Sequence, residues 1–157
     1  MSETAGAFFA QRQVARGAGF GDLDQDGDPD VVLGCNNGSA LLLRNDSPHG
    51  RNWVGLALEG AALGERPATG CNRDAVGARV RVSIGTLRQT QFVRSGGSYL
   101  FDHDRRLAFG LGDASGSGRV EIRWPCGAVQ SLEASPGKWL PVLEQHCRRG
   151  GVSILSP

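Results

Sequence analysis

The chain is expected to be all-β, folded as an antiparallel β-sandwich or small barrel, on three observations. Apolar and polar residues alternate in short runs, the mark of a half-buried strand. Glycine supplies 24 of 157 residues without a collagen repeat, which indicates many turns between short strands. No window longer than a turn or two carries the apolar period of an amphipathic helix.

Residues 1 to about 16 show no clear period, and Phe8, Phe9 and Val14 are the expected buried anchors of a short strand. Gly17 to Gly21 and Val31 to Gly34 read as two strands flanking an acidic loop. Asn36-Asn37-Gly38 is a favourable hairpin turn leading into Ala40 to Arg44. The turn formers of Asn45 to Gly50 set a boundary between a unit 1–50 and a unit 51–157. In the second unit Val54, Leu56 and Leu58 share one strand face, and Val80, Val82 and Ile84 alternate with Arg79, Arg81 and Ser83. Thr90 to Val93 pairs with the latter run. Residues Gly60 to Ala75 read as loop. Leu107 to Leu111, Val120 to Trp124, Val129 to Leu132 and Trp139 to Leu143 complete the series, with Trp53, Trp124 and Trp139 expected in the core.

An apolar fraction of 39% and a charged fraction of 21% are those of a globular chain, and no apolar run reaches the roughly 20 residues of a membrane span. A net charge of +1 gives no reason to expect nucleic acid or an acidic surface as partner. The N-terminal residues lack the basic and apolar regions of a signal peptide. Cys35, Cys71, Cys126 and Cys147 form no C-x-x-C pair, which argues against zinc; their even number permits two disulfides or four buried thiols. His49, His103 and His146 are isolated from one another.

The most specific chemistry lies in Asp22-Leu-Asp-Gln-Asp-Gly-Asp-Pro-Asp30. Five carboxylates in nine residues repel one another unless a cation sits among them, and the donors are all hard oxygens, which favours calcium over softer metals or magnesium. Asp22, Asp24 and Asp26 are the expected side-chain ligands, Gly27 the turn, Asp28 a backbone-carbonyl ligand and Asp30 the closing carboxylate. A helix-loop-helix calcium site would need Glu at the twelfth loop position, which here is Leu33. The flanks instead read strand, metal loop, strand.

Gly19 to Gly34 followed by Leu41-Leu-Leu-Arg-Asn45 resembles one blade repeat of the FG-GAP/VCBS family of calcium-loop β-propellers. Asn52-Trp53, Asn72-Arg-Asp74, Gly77-Ala-Arg-Val80, Arg94-Ser-Gly-Gly97 with Tyr99-Leu100, Asp104-Arg105, Phe109-Gly-Leu-Gly112 and Val120 to Pro125 with Gly127 resemble the ASPIC/UnbV domain, over residues 52 to about 144. The two together, as in cartilage-acidic-protein-like secreted proteins, imply a single partial propeller-type blade before the sandwich, an extracellular or cell-surface location and no enzymatic activity. Other blades of a longer protein, or self-association, would then complete the lone blade. Cys71 and Cys126 stand where the ASPIC/UnbV pattern usually has a small residue, and this paired replacement suggests a disulfide between them.

Asn72, Arg73, Asp74, Arg94, Tyr99, Asp102 and Arg105 gather polar groups in the loops of the second unit. Two readings stand: pins that hold Gly-rich connections, or a ligand cleft in which Tyr99 or Trp53 stacks on a glycan. Ser95, Ser98, Asp102, His103 and Asp104 supply the residue types of a hydrolytic triad without the G-x-S-x-G spacing. The function expected is therefore a non-enzymatic, calcium-binding module for adhesion or self-assembly, with carbohydrate binding second and an undetected hydrolase third.

Overall fold

A computed structural model describes residues 7–10, 12–46, 52–61 and 71–145. The expected boundary turn after residue 46, most of the loop before Cys71, and Cys147 lie outside the described residues. The fold is all-β. Strands β1 (Ala15–Gly21), β2 (Asp30–Cys35) and β3 (Leu41–Leu43) form a three-stranded antiparallel sheet in sequence order. Next come β4 (Asn52–Glu59), β5 (Arg79–Ile84), β6 (Leu87–Phe92), the two-residue strands β7 (Gly97–Ser98) and β8 (Phe101–Asp102), β9 (Leu107–Gly112), β10 (Gly118–Arg123), β11 (Val129–Ala134) and β12 (Trp139–Leu143).

Two of the sheets make a sandwich, one ordered β11-β10-β5-β6 and the other β12-β4-β9, and no described sheet closes into a barrel. Alternation explains the arrangement. Val80, Val82 and Ile84 of β5, Val120 and Ile122 of β10, Val54 and Leu56 of β4, and Phe109 and Leu111 of β9 point inward and form one core with Trp124. Pairing is antiparallel except between β12 and β4, which run parallel. The expected antiparallel sandwich is thus formed with this one parallel pair, which puts Pro141 on an edge strand, where a residue with no N–H is tolerated. None of the described helices is long and apolar enough to cross a membrane.

The N-terminal expectation needs correction. Ala7–Ala10 form a 3-10 turn and not a strand, and Phe9 and Val14 are 52% and 61% exposed. Phe8 and Phe9 pack edge to face on each other, and Val14 is held by its backbone, its carbonyl accepting the Asn36 N–H at 2.8 Å.

Candidate metal loop and its dock on the sandwich

The acidic loop is the connection of the β1–β2 hairpin, whose last paired residues are Gly21 and Asp30. Positive φ angles at Gln25 (65°) and Gly27 (99°) turn the backbone around the Asp22 side chain. Asp22 Oδ1 accepts the Asp26 N–H at 3.1 Å and Oδ2 the Gly27 N–H at 2.9 Å. Asp30 accepts from Leu23 and Asn45 N–H groups, both at 2.9 Å. Asp22 and Asp30 are buried and Asp24 is exposed, and one oxygen from each lies within 4.8 Å of the others.

This donor set fits calcium. One cation at ordinary calcium–oxygen distances of about 2.3–2.6 Å reaches three oxygens so spaced, and both Asp30 oxygens and Asp22 Oδ1 keep a lone pair beyond the single hydrogen bond each accepts. The cluster joins Asp22, Asp24 and Asp30. The carboxylates of Asp26 and Asp28 fall outside it, and Asp26 Oδ1 caps the Asp28 N–H at 2.9 Å in an Asx turn.

What sequence reasoning missed is the surface that the loop rests on. Trp139 Nε1 donates to Asp22 Oδ2 at 3.0 Å, and Arg106 Nη2 donates to the Asp22 carbonyl at 2.6 Å. The Arg106 guanidinium also lies 4.5 Å over the Trp139 ring and is bonded to Asp104, which raises its pKa. Trp53 sits 5.7 Å from Trp139, and a Cβ added to Gly27 would come within 2.3 Å of the Trp53 ring. Only glycine admits that approach. Trp53 and Trp139 therefore floor the acidic loop, and Trp124 alone of the three tryptophans belongs to the deep core. A tryptophan 117 residues from its aspartate leaves no local signal.

The rest of the small sheet is docked too. The N–H groups of Ala18 and Phe20 donate to Ser98 Oγ (3.0 Å) and His103 Nδ1 (3.3 Å), while the Phe20 carbonyl accepts the Asp104 N–H at 2.8 Å. Two of the candidate triad residues are thus committed to capping the β1 edge. Phe101 fills the space that side chains would take at Gly17, Gly19 and Gly34. These close approaches, together with that of Asp104 to Gly21, account for the Gly17-Ala-Gly-Phe-Gly21 pattern.

The seven candidate cleft residues divide. Arg105 bridges Asp74 and Asp102, and that guanidinium, followed by the Gly96 N–H, holds the Asp102 carboxyl below the usual range. Asn72 bonds both backbone groups of Val76 at 2.8 Å. Arg73 faces Glu59 at 3.6 Å on the surface. Arg94 stacks on Phe92 and Tyr99 projects into solvent, so these two stand apart from the Arg105 bridge. Trp53, the other suggested stacking platform, lies under Gly27.

The expected Cys71–Cys126 disulfide is not formed. Cys71 remains a thiol, whereas Cys126 is disulfide-bonded. The two sulfurs are close, but Cys71 Sγ is engaged by the Cys126 N–H at 3.3 Å, and Glu144 Oε2 accepts the N–H groups of Cys71 and Ala61, both at 3.0 Å. Burial raises the Cys71 pKa from 9.0 to about 11. A thiol whose pKa rises on folding contributes stability in full below the unfolded value and loses it as pH climbs through the folded value. Stability is thus expected to fall between pH 9.0 and about 11. At pH 8, alkylation followed by peptide mapping should leave Cys71 unmodified until the chain unfolds.

The family pattern of ASPIC and UnbV matches residues 68–146, half of the chain, and spans the Asn72 turn, the Phe101 segment, Arg105-Arg106, Trp124 and Trp139. A search of the curated proteins finds no match. The matched segment supplies Arg106 and Trp139, on which the acidic loop rests, and every strand of the sandwich but β4. This chain belongs to the ASPIC and UnbV family.

Proposed function

We propose that this protein is a non-enzymatic, calcium-stabilised β-module of extracellular type that serves adhesion or self-assembly, its first three strands being a lone blade of FG-GAP/VCBS type. The observation that carries the reading is the convergence of Asp22, Asp24 and Asp30 at the point where the small sheet meets Trp53, Trp139 and Arg106. An ion there would neutralise the repelling carboxylates and fix the loop on its floor. With β1 capped by its own chain, the outer edge of β3 and the apolar face carrying Phe20, Val31, Leu33 and Leu43 remain for a second copy or for further blades.

The test is thermal unfolding and light scattering with calcium and with excess EDTA. For a site of extracellular-module affinity at about 2 mM calcium, the ion contributes about 1–2 kcal/mol, a rise of roughly 2–8 °C in Tm. Asp30→Asn should remove the response. A melt indifferent to calcium in the unsubstituted chain would overturn the calcium reading, and a mass that stays monomeric at high micromolar concentration with calcium present would overturn self-assembly.

A further inference from the structure

The net charge of +1 conceals a strongly basic face. On the outward side of the sheet ordered β11-β10-β5-β6, the register aligns Arg119 with Ser83 and Arg88, Glu121 with Arg81 and Thr90, and Arg123 with Arg79 and Phe92. β11 adds Glu133 beside Arg119 and Ser131 beside Glu121. Five guanidinium groups against two carboxylates leave this face at +3, more than the charge of the whole chain. Every described ion pair lies elsewhere, on Arg44, Arg73, Arg105 and Arg106. Arg88 and Arg119 use some donors on the Gly85 and Leu87 carbonyls and on Ser131 Oγ, which steadies them without neutralising them.

We infer that this face binds an extended sulfated polysaccharide. Sheet geometry sets the arginines on a grid with spacings of about 5 Å across the strands and about 7 Å along them. Each guanidinium can engage a sulfate through two parallel N–H donors, and a polymer bearing an anion on successive sugars engages several at once. Ser83, Thr90 and Ser131 stand between the arginines as partners for sugar hydroxyls. The alternative polyanion, single-stranded nucleic acid, is bound through aromatic platforms, and among the described residues the only aromatic one on this face is Phe92, at its corner and already stacked with Arg94 at 5.8 Å.

Heparin is the probe, with unsulfated dextran and oligo-dT as comparisons, on the full chain at physiological salt. The chain should be retained on immobilised heparin and ignore dextran. In Arg81→Gln/Arg119→Gln/Arg123→Gln, the Kd should rise at least about tenfold and the salt dependence should flatten. These side chains are exposed, so the thermal midpoint of the triple variant should stay close to that of the parent. Glu121→Gln, which removes a carboxylate from the centre of the grid, should tighten binding. Failure of the chain to bind heparin, equal binding by the triple variant, weaker binding by Glu121→Gln, or oligo-dT bound as tightly as heparin would each overturn the assignment. All of these readouts are independent of calcium, so they stand or fall apart from the metal loop.

Discussion

Trp124→Ala is expected to cost about 3–5 kcal/mol, enough to lower Tm by roughly 6–20 °C in a chain of this size. The side chain is 1% exposed and belongs to the core shared by both sheets of the sandwich. Its Nε1 donates to Gln130 Oε1 at 3.0 Å, and Gln130 in turn donates to the Leu143 carbonyl at 3.3 Å on β12. Truncation therefore opens a cavity and also strands a buried amide oxygen, two costs that add. Trp124→Phe separates them: it keeps most of the apolar volume, loses the hydrogen bond, and should cost about 1–3 kcal/mol. Denaturant unfolding of both variants measures the split, and an alanine variant as stable as its parent would contradict the packing described.

The second large effect is expected at Gly27. Gly27→Ala places a methyl group at a φ of 99°, which L residues rarely adopt, and drives it into the Trp53 ring. Left-handed strain of about 1–2 kcal/mol and overpacking of about 1–3 kcal/mol sum to about 2–5 kcal/mol. The functional signature is more telling than the size. A displaced loop no longer presents Asp22 to Trp139, so the rise in Tm proposed for calcium should shrink along with the stability. Adding Trp53→Leu to Gly27→Ala should recover part of the loss by vacating the space, a coupling that a double-mutant cycle detects. Strict additivity of the two substitutions would show that the loop does not rest on Trp53.

How much of this was legible in the sequence depended on range. Period-two alternation placed the strands of the sandwich, because inward Val80, Val82 and Ile84 and outward Arg79, Arg81 and Ser83 follow from the pleat alone. The aspartate spacing located the hairpin loop for the same local reason. It could not distinguish Asp22, Asp24 and Asp30, which converge, from Asp26, which turns back on its own backbone, since that choice is made by φ angles at Gln25 and Gly27. Contacts over long separations were illegible. Arg106 and Trp139 reach Asp22 from 84 and 117 residues away, and the small strands β7 and β8, which carry Ser98 to β1, are too short to show a period. The cysteines misled because a paired departure from a pattern says nothing about the direction of Cβ vectors.

The hydrogen bond from Trp139 to Asp22 also dictates an order of events during synthesis. The aspartate loop leaves the ribosome before its floor, which is assembled only when β12, pairing in parallel with β4, has been made 117 residues later. At about 5–20 residues per second that delay is roughly 6–25 s. Throughout this interval the glycine-rich hairpin lacks Trp139 beneath it, and until β8 is made it lacks Phe101 against it as well. Synthesis of β12 is thus the step that converts an acidic hairpin without a floor into a seated one.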